Sequence, residues 1–345
     1  MNKIRLLFLV CIFYANILSA FLLPDDIAIK IGSGYNSNFL RFSNYEMNSF
    51  LIGSQLGDSK TFDSPVLKFS FFIDKELDSM PIKFDLDLGF IDYTQSLNKT
   101  IFSSSFIASY KLGTYKWIKL GYKNIPKNYL KMYRDRDQIG SPLLSAFYGY
   151  ERFFSSISSP IYKTIWFKAR ISRSSMFFNQ FFTEFDLIQH QLFVKMYNLE
   201  YIFLNFSPYV IFANSHNLTY QSGLNSNRID RSYFEYIFGS DFKIKNKTIF
   251  FNDIKTILSF KLREYKSSDL IDILHNNRSH LEFELIQEFN KKINDHIHMS
   301  MYCKYINRDT EALTEYVEDL KSFSNVELGF EFYFNLTDKL YDATY

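Results

Sequence analysis

Ile82-Lys83-Phe84-Asp85-Leu86-Asp87-Leu88-Gly89-Phe90 alternates without a break between apolar and polar residues. Successive side chains of an extended chain point to opposite sides. One face of this segment therefore carries Ile82, Phe84, Leu86, Leu88 and Phe90, and the other carries Lys83, Asp85, Asp87 and Gly89. Segments of the same kind recur along the whole chain. A wall built from them has lipid on its apolar side and water on its polar side, which is the pattern of a transmembrane β-barrel.

The N-terminus is consistent with export. Lys3 and Arg5 precede the apolar run Leu6 to Leu18, and Leu18-Ser19-Ala20 forms a cleavage site, so residues 1–20 are expected to be a signal peptide and 21–345 the barrel. The apolar run is too short for a membrane helix, which needs about 20 residues. The chain has 39 basic and 37 acidic residues; less Lys3 and Arg5, each sign counts 37. A neutral mature chain offers no electrostatic footprint for nucleic acid. Of the two cysteines only Cys303 lies beyond residue 20, which excludes an intramolecular disulfide and a thiolate metal cluster in the mature chain. Aromatic residues make up 19% of the chain, with 39 Phe and 25 Tyr, a composition suited to lipid-facing strands and interfacial girdles. The longest later apolar stretch, Tyr201 to Ala213, is interrupted by Asn205, Ser207 and Pro208, so any crossing of a membrane falls to closed strands.

About fourteen strand segments can be drawn, within a range of 12–16: 27–43, 64–74, 81–93, 100–112, 115–124, 143–154, 162–174, 182–193, 199–213, 232–246, 248–265, 279–291, 296–306 and 324–335. The gaps alternate in length. After odd-numbered segments they are mostly long (44–63, 125–142, 214–231, 266–278, 307–323), and after even-numbered ones mostly tight. Long extracellular loops and short periplasmic turns give this alternation. Pro24, Pro65, Pro81, Pro126, Pro142 and Pro160 fall at or near segment limits, where a missing N–H costs least; Pro208 falls inside the ninth segment and marks a bulge or split. The row Val326, Leu328, Phe330, Phe332, Phe334 makes the fourteenth segment the one expected to close the barrel, with 336–345 as a tail.

With the apolar rows toward lipid, the alternate residues line a lumen. Asp85 and Asp87 come from the third segment, Lys119 and Lys123 from the fifth, Lys168 and Arg170 from the seventh, Glu282 and Glu284 from the twelfth, Glu327 and Glu331 from the fourteenth. So many ionisable groups exclude a dry interior. Two arrangements are open: a basic wall facing an acidic wall, or cross-strand pairing such as lysines of the eleventh segment with glutamates of the twelfth. The gap 125–142, with Arg134 and Arg136 among aromatic residues, either folds inward as a constriction or stays exposed at the surface. The sequence contains no Gly-x-Ser-x-Gly, His-Glu-x-x-His or phosphate loop, and His296 and His298 share a strand face with no third ligand. No enzyme activity, cofactor or metal is expected.

In this organisation the chain resembles bacterial outer-membrane β-barrels over residues 27–335. The run Gly34-Tyr35-Asn36-Ser37-Asn38-Phe39-Leu40-Arg41-Phe42-Ser43 is similar to first strands of the barrel of surface-lipoprotein assembly modifiers, with Asn36 in place of their acidic residue and without their helical-repeat domain. Only topology is carried over. The plug segment of fourteen-strand fatty-acid transporters does not fit between Ala20 and Ile27. The resemblance implies an outer-membrane location, surrounding lipid and insertion by the barrel-assembly machinery. The functional expectation is a porin-like channel for small polar or amphipathic solutes. The alternative is a non-conducting barrel that binds partners through its loops or assists protein export.

Overall fold

A computed structural model describes residues 24–50, 59–77, 80–162, 164–201, 204–224, 226–245, 250–269 and 272–337. The expected signal segment, residues 1–20, and the tail beyond Thr337 lie outside them. Fourteen long antiparallel strands follow one another: β1 (Asp26–Asn36), β2 (Ser64–Glu76), β3 (Ile82–Tyr93), β4 (Thr100–Gly113), β5 (Lys116–Arg134), β6 (Leu143–Tyr162), β7 (Ile165–Phe178), β8 (Leu187–Tyr197), β9 (Leu204–Asn217), β10 (Tyr233–Lys245), β11 (Asp253–Tyr265), β12 (Ser279–Lys292), β13 (Ile297–Glu311) and β14 (Phe323–Asn335). Each pairs with its sequence neighbour, and β14 returns to β1 from Ala28↔Asn335 to Asn36↔Glu327. The sheet is closed, so it has no free edge to leave unpaired in lipid.

The direction of the faces follows from the register. Ile31, Phe69, Phe90 and Phe102 are opposite one another on β1 to β4 and are each 41–49% exposed, a continuous apolar row on the outside. Ile171 is 63% exposed, whereas its neighbours Arg170 and Ser172 turn inward. No helix among the described residues is long and apolar enough to cross a membrane; the strands do it.

Three local departures from the sequence expectation have physical causes. First, β5 does not stop at residue 124. It runs to Arg134 through register shifts between Ile125 and Asn128 and between Tyr129 and Met132. Pro126 sits in the first shift rather than at a strand end, since a bulge leaves its missing N–H without a ladder partner to lose. Second, β1 ends at Asn36, not at residue 43, because the Asn38 side chain captures the backbone: its Nδ2 donates to Phe42 O (2.7 Å) and its Oδ1 accepts from Phe42 N (2.8 Å). Third, Pro208 leaves β9 unbroken. Its partner gives way instead: the ladder to β8 stops at Tyr209↔Lys195, Asn198 takes a φ of 59°, and a three-residue strand, Leu199–Tyr201, resumes the pairing at Phe206.

The loops on the extracellular side fold over the mouth. Residues 39–42 bring Phe39, Leu40 and Phe42 onto Tyr129 of β5, with Met47, Phe62, Tyr93 and Phe147 packed around them. Helix α1 (Asn44–Phe50) begins in a capping box, with Ser43 Oγ accepting from Glu46 N (3.1 Å) and Glu46 Oε2 accepting from Ser43 N (2.9 Å). Its Glu46 then pairs with Lys131. Helix α2 (Glu315–Lys321), before β14, meets α1 through Tyr45 and Tyr316, whose ring centroids are 5.4 Å apart. The loop after β1 turns inward, and the gap read as 125–142 is strand as far as Arg134.

Candidate functional site

The inward faces of the strands divide into a paired part and an unpaired part. On the paired part every predicted acid but one has a cationic partner. Glu282 binds Lys261 and takes Nε (3.0 Å) and Nη2 (2.6 Å) of Arg308. Glu284 pairs with Lys304 at 2.8 Å, and Lys255 with Glu288 at 3.4 Å. Glu327 accepts from Lys68 (2.7 Å), Asn36 (2.9 Å) and Tyr302 (2.9 Å), and Glu331 pairs with Lys30 at 2.5 Å. Asp85 stands directly opposite Asp74, and Lys83 holds both, at 3.1 and 2.9 Å. These pairs make a hydrated wall largely neutral. Asp87 is the exception: exposed to the lumen, it has no ion pair among the described residues.

Two glycines shape this wall. Tyr302 lies across Gly329, where an added Cβ would sit 2.7 Å from its ring, and against Gly34. Its hydroxyl accepts from Lys68 Nζ (2.7 Å) and donates to Glu327 (2.9 Å). A side chain at either glycine would push the tyrosine off the sheet and break the group that fixes Glu327.

The other arc, β4 through β8, is different in kind. Strands β4, β5, β7 and β8 contain no Asp or Glu, and the one acid of β6, Glu151, points outward, where it accepts from Tyr122 OH (3.3 Å). Facing inward are Lys119 and Lys123 of β5, Arg152 of β6, and Lys168 and Arg170 of β7. None of them has a carboxylate within ion-pair distance among the described residues, and the next cation around, Lys195 of β8, is the first to find one, Asp241 at 2.6 Å. The register sets these bases in rows: Lys123 opposite Arg152, Lys119 opposite Ser156, which is in turn opposite Arg170, and Lys168 opposite Lys195. Ser109, Ser156, Ser158, Ser172 and Ser174 stand between them, and Ser174 Oγ accepts from Arg152 Nε (3.1 Å). Arg170 is held in place by aromatic faces, 5.6 Å from the Phe154 centroid and 4.7 Å from that of Phe193. Phe154 can lie flat because it covers Gly121, where a Cβ would fall 2.1 Å from the ring.

Like charges placed side by side without acids repel. They persist where water solvates them and mobile anions neutralise them. This serine-and-base ladder is therefore a wall of one sign, able to attract mobile anions.

Of the residues read from sequence as lumen candidates, Asp85, Asp87, Lys119, Lys123, Lys168, Arg170, Glu282, Glu284, Glu327 and Glu331 all lie on the inward face. The structure places Arg134 exposed at the end of β5, with Nη1 3.4 Å from Ser141 O, and Arg136 exposed in the loop beyond it. Neither is brought to the lumen wall with the others. Sequence reading missed the groups that hold the loops together. Asp137 ties the loop after β5 to the loop after β9, accepting from Ser226 N (3.0 Å) and Ser226 Oγ (2.5 Å). Arg231 donates to the carbonyls of Ser226 and Ile229 and lies 4.8 Å from the Phe185 ring. His275 shares a hydrogen bond with Asp272 (3.0 Å). Burial, opposed by that bond, pushes the His275 imidazole down to about 4. Burial, reinforced by Lys131 and Arg278, brings the Lys321 ammonium down to about 7. Loop packing of this kind leaves no periodic signal. The one local cue was the Ser43-x-x-Glu46 capping box.

No family model matches the chain, and neither does any curated protein. Solved structures do. A loop-deletion mutant of OmpT, an outer membrane protein of Vibrio cholerae, superposes with a TM-score of 0.48 at 7% identity, covering 90% of this chain and 98% of that one. The outer membrane channel DcaP of Acinetobacter baumannii gives 0.45 at 10% identity, with 90% and 96% covered. OccD3 of Pseudomonas aeruginosa gives 0.40 at 8%, with 90% and 91% covered. The closed antiparallel barrel of fourteen long strands rests on the strand register itself, not on these likenesses.

Proposed function

We propose that the protein is an outer-membrane channel for small polar solutes, with a preference for anions. The observation that carries the reading is the row of five inward bases, Lys119, Lys123, Arg152, Lys168 and Arg170, on an arc with no inward carboxylate, in a lumen whose other charges are mostly paired. Paired charges solvate a wall; unpaired ones of one sign select. A cation ladder with intervening hydroxyls offers a carboxylate- or phosphate-bearing solute successive donors of similar strength, so it can be bound at each step and released to the next.

A second reading rests on the mouth. The first loop packs into it around Phe39, Phe42 and Tyr129, and Val317 of α2 is fully buried, which supports a barrel sealed from outside whose loops meet a partner. Liposome swelling with the purified chain separates the two. Permeation of small carboxylates faster than neutral sugars of equal size supports the channel. Swelling no faster than in protein-free liposomes supports the sealed barrel.

A further inference from the structure

The outer wall of the barrel carries a feature that its solute path does not use. Between β4 and β10 the lipid side is indented by a concavity of about 1050 Å³, lined by outward side chains that include Leu120, Phe153, Ile171, Leu192 and Phe212. A barrel wall is ordinarily convex, so an indentation offers side walls to a chain lying in it. Across the extracellular end of this apolar field runs a polar row fixed by the register: Arg173 opposite His190, His190 opposite Asn214. Lys266 joins it from above, with Nζ donating to Asn214 Oδ1 (2.5 Å) and lying 4.2 Å from the Phe234 ring.

Arg173 is the anomaly. It is exposed on the lipid side, between Ile171 below and Phe177 above on the same face, which are 63% and 48% exposed. No carboxylate of the described residues pairs with it. Glu151, the nearest outward acid in register, is one pair further along and accepts from Tyr122 instead. A guanidinium on a lipid-facing surface is costly unless an anion meets it. His190 beside it is likewise exposed, and its ring N–H supplies a second donor.

We infer that this concavity binds one anionic phospholipid of the outer leaflet, its phosphate, not neutralised by a cationic headgroup, on Arg173 and His190 and its acyl chains along Ile171, Leu192 and Phe212. Charge complementarity selects the lipid over a second copy of the chain, because a twofold contact through this face would bring Arg173 toward its own counterpart. The donors sit at the extracellular end of the apolar groove, which sets the direction of the chains.

The test is native mass spectrometry of the full mature chain, refolded in an equal mixture of dioleoyl-phosphatidylglycerol and dioleoyl-phosphatidylcholine. Preferential retention of one phosphatidylglycerol is expected, reduced about tenfold in Arg173→Gln/His190→Gln, the loss of about one charge-assisted hydrogen bond. Leu192→Trp, which fills the groove and keeps both donors, should reduce retention of both lipids; circular dichroism checks that each variant has folded. Equal retention of the two lipids, unchanged retention in the double variant, or a dimer that excludes lipid would each overturn the inference.

Discussion

Replacing Lys168 and Arg170 by glutamine should lower the anion preference of the channel without closing it. Both face the lumen on β7, at the periplasmic end of the base ladder, and neither holds a carboxylate whose release would disturb the wall. A unit charge about 7 Å from an ion in water is worth about 0.6 kcal/mol. Salt near 0.1 M, with a Debye length of about 10 Å, roughly halves that. The pair therefore contributes about 0.6 kcal/mol to the local potential, or about a threefold change in the anion concentration along the ladder. Cation concentration moves the other way. In a planar bilayer under a tenfold KCl gradient, the reversal potential of the double variant should shift toward the cation side while single-channel conductance stays within about a factor of two. Lys304→Gln is the control, since its charge is already matched by Glu284 at 2.8 Å; it should shift the potential the same way by less. A reversal potential equal to that of the parent protein, or a larger shift in the Lys304 variant, would refute the argument that unpaired bases set the selectivity.

The mouth and the wall give three further tests. Lys131→Met strands Glu46 in a largely buried site and should loosen the first loop by about 2 kcal/mol, less than for a fully buried pair since both ends keep some water contact; conductance should rise and protease should cut the 37–63 segment faster, and an unchanged cleavage rate would count against the ion pair as the latch. Gly329→Ala drives a Cβ into the ring of Tyr302 and should cost about 2 kcal/mol in urea unfolding from detergent, whereas Gly113→Ala, where nothing lies within 4 Å, should be close to neutral. Lys321, packed near Lys131, Glu46 and Arg278, is held down to about 7, so between that value and the ordinary lysine range near 10.5 the unfolded chain binds more protons than the folded one. Stability should therefore rise with pH across that window, and Lys321→Met should flatten the rise; an identical pH profile in the variant would show that the charge is solvated.

Most of the fold was legible because a barrel strand writes its geometry into every second residue. Segment 82–90 assigned both faces of β3 by alternation alone, and the loop lengths then gave direction. Legibility failed where side chains, not periodicity, set the path. Asn38 ends β1 by bonding to Phe42, and bulges carry β5 past Pro126; neither interrupts the hydropathy pattern in a way that marks it. The candidate site was half readable. The absence of Asp and Glu from residues 100–134 is visible in the sequence, and so are Lys119, Lys123, Lys168 and Arg170. Which acids are neutralised depends on register: Lys83 reaches both Asp74 and Asp85 only because the β2–β3 pairing sets those two carboxylates side by side. Arg152 escaped notice because it is the one inward charge of the sixth segment, its neighbour Glu151 facing outward. Arg134 and Arg136 looked like constriction residues because the segment before them read as loop, when most of it is strand.

The most direct test of the account is the zero-current potential of the purified, refolded barrel in a planar bilayer under a KCl gradient. The account predicts discrete open channels whose reversal potential lies on the chloride side. Open channels that favour potassium, or a bilayer that stays silent with folded protein inserted, would contradict it.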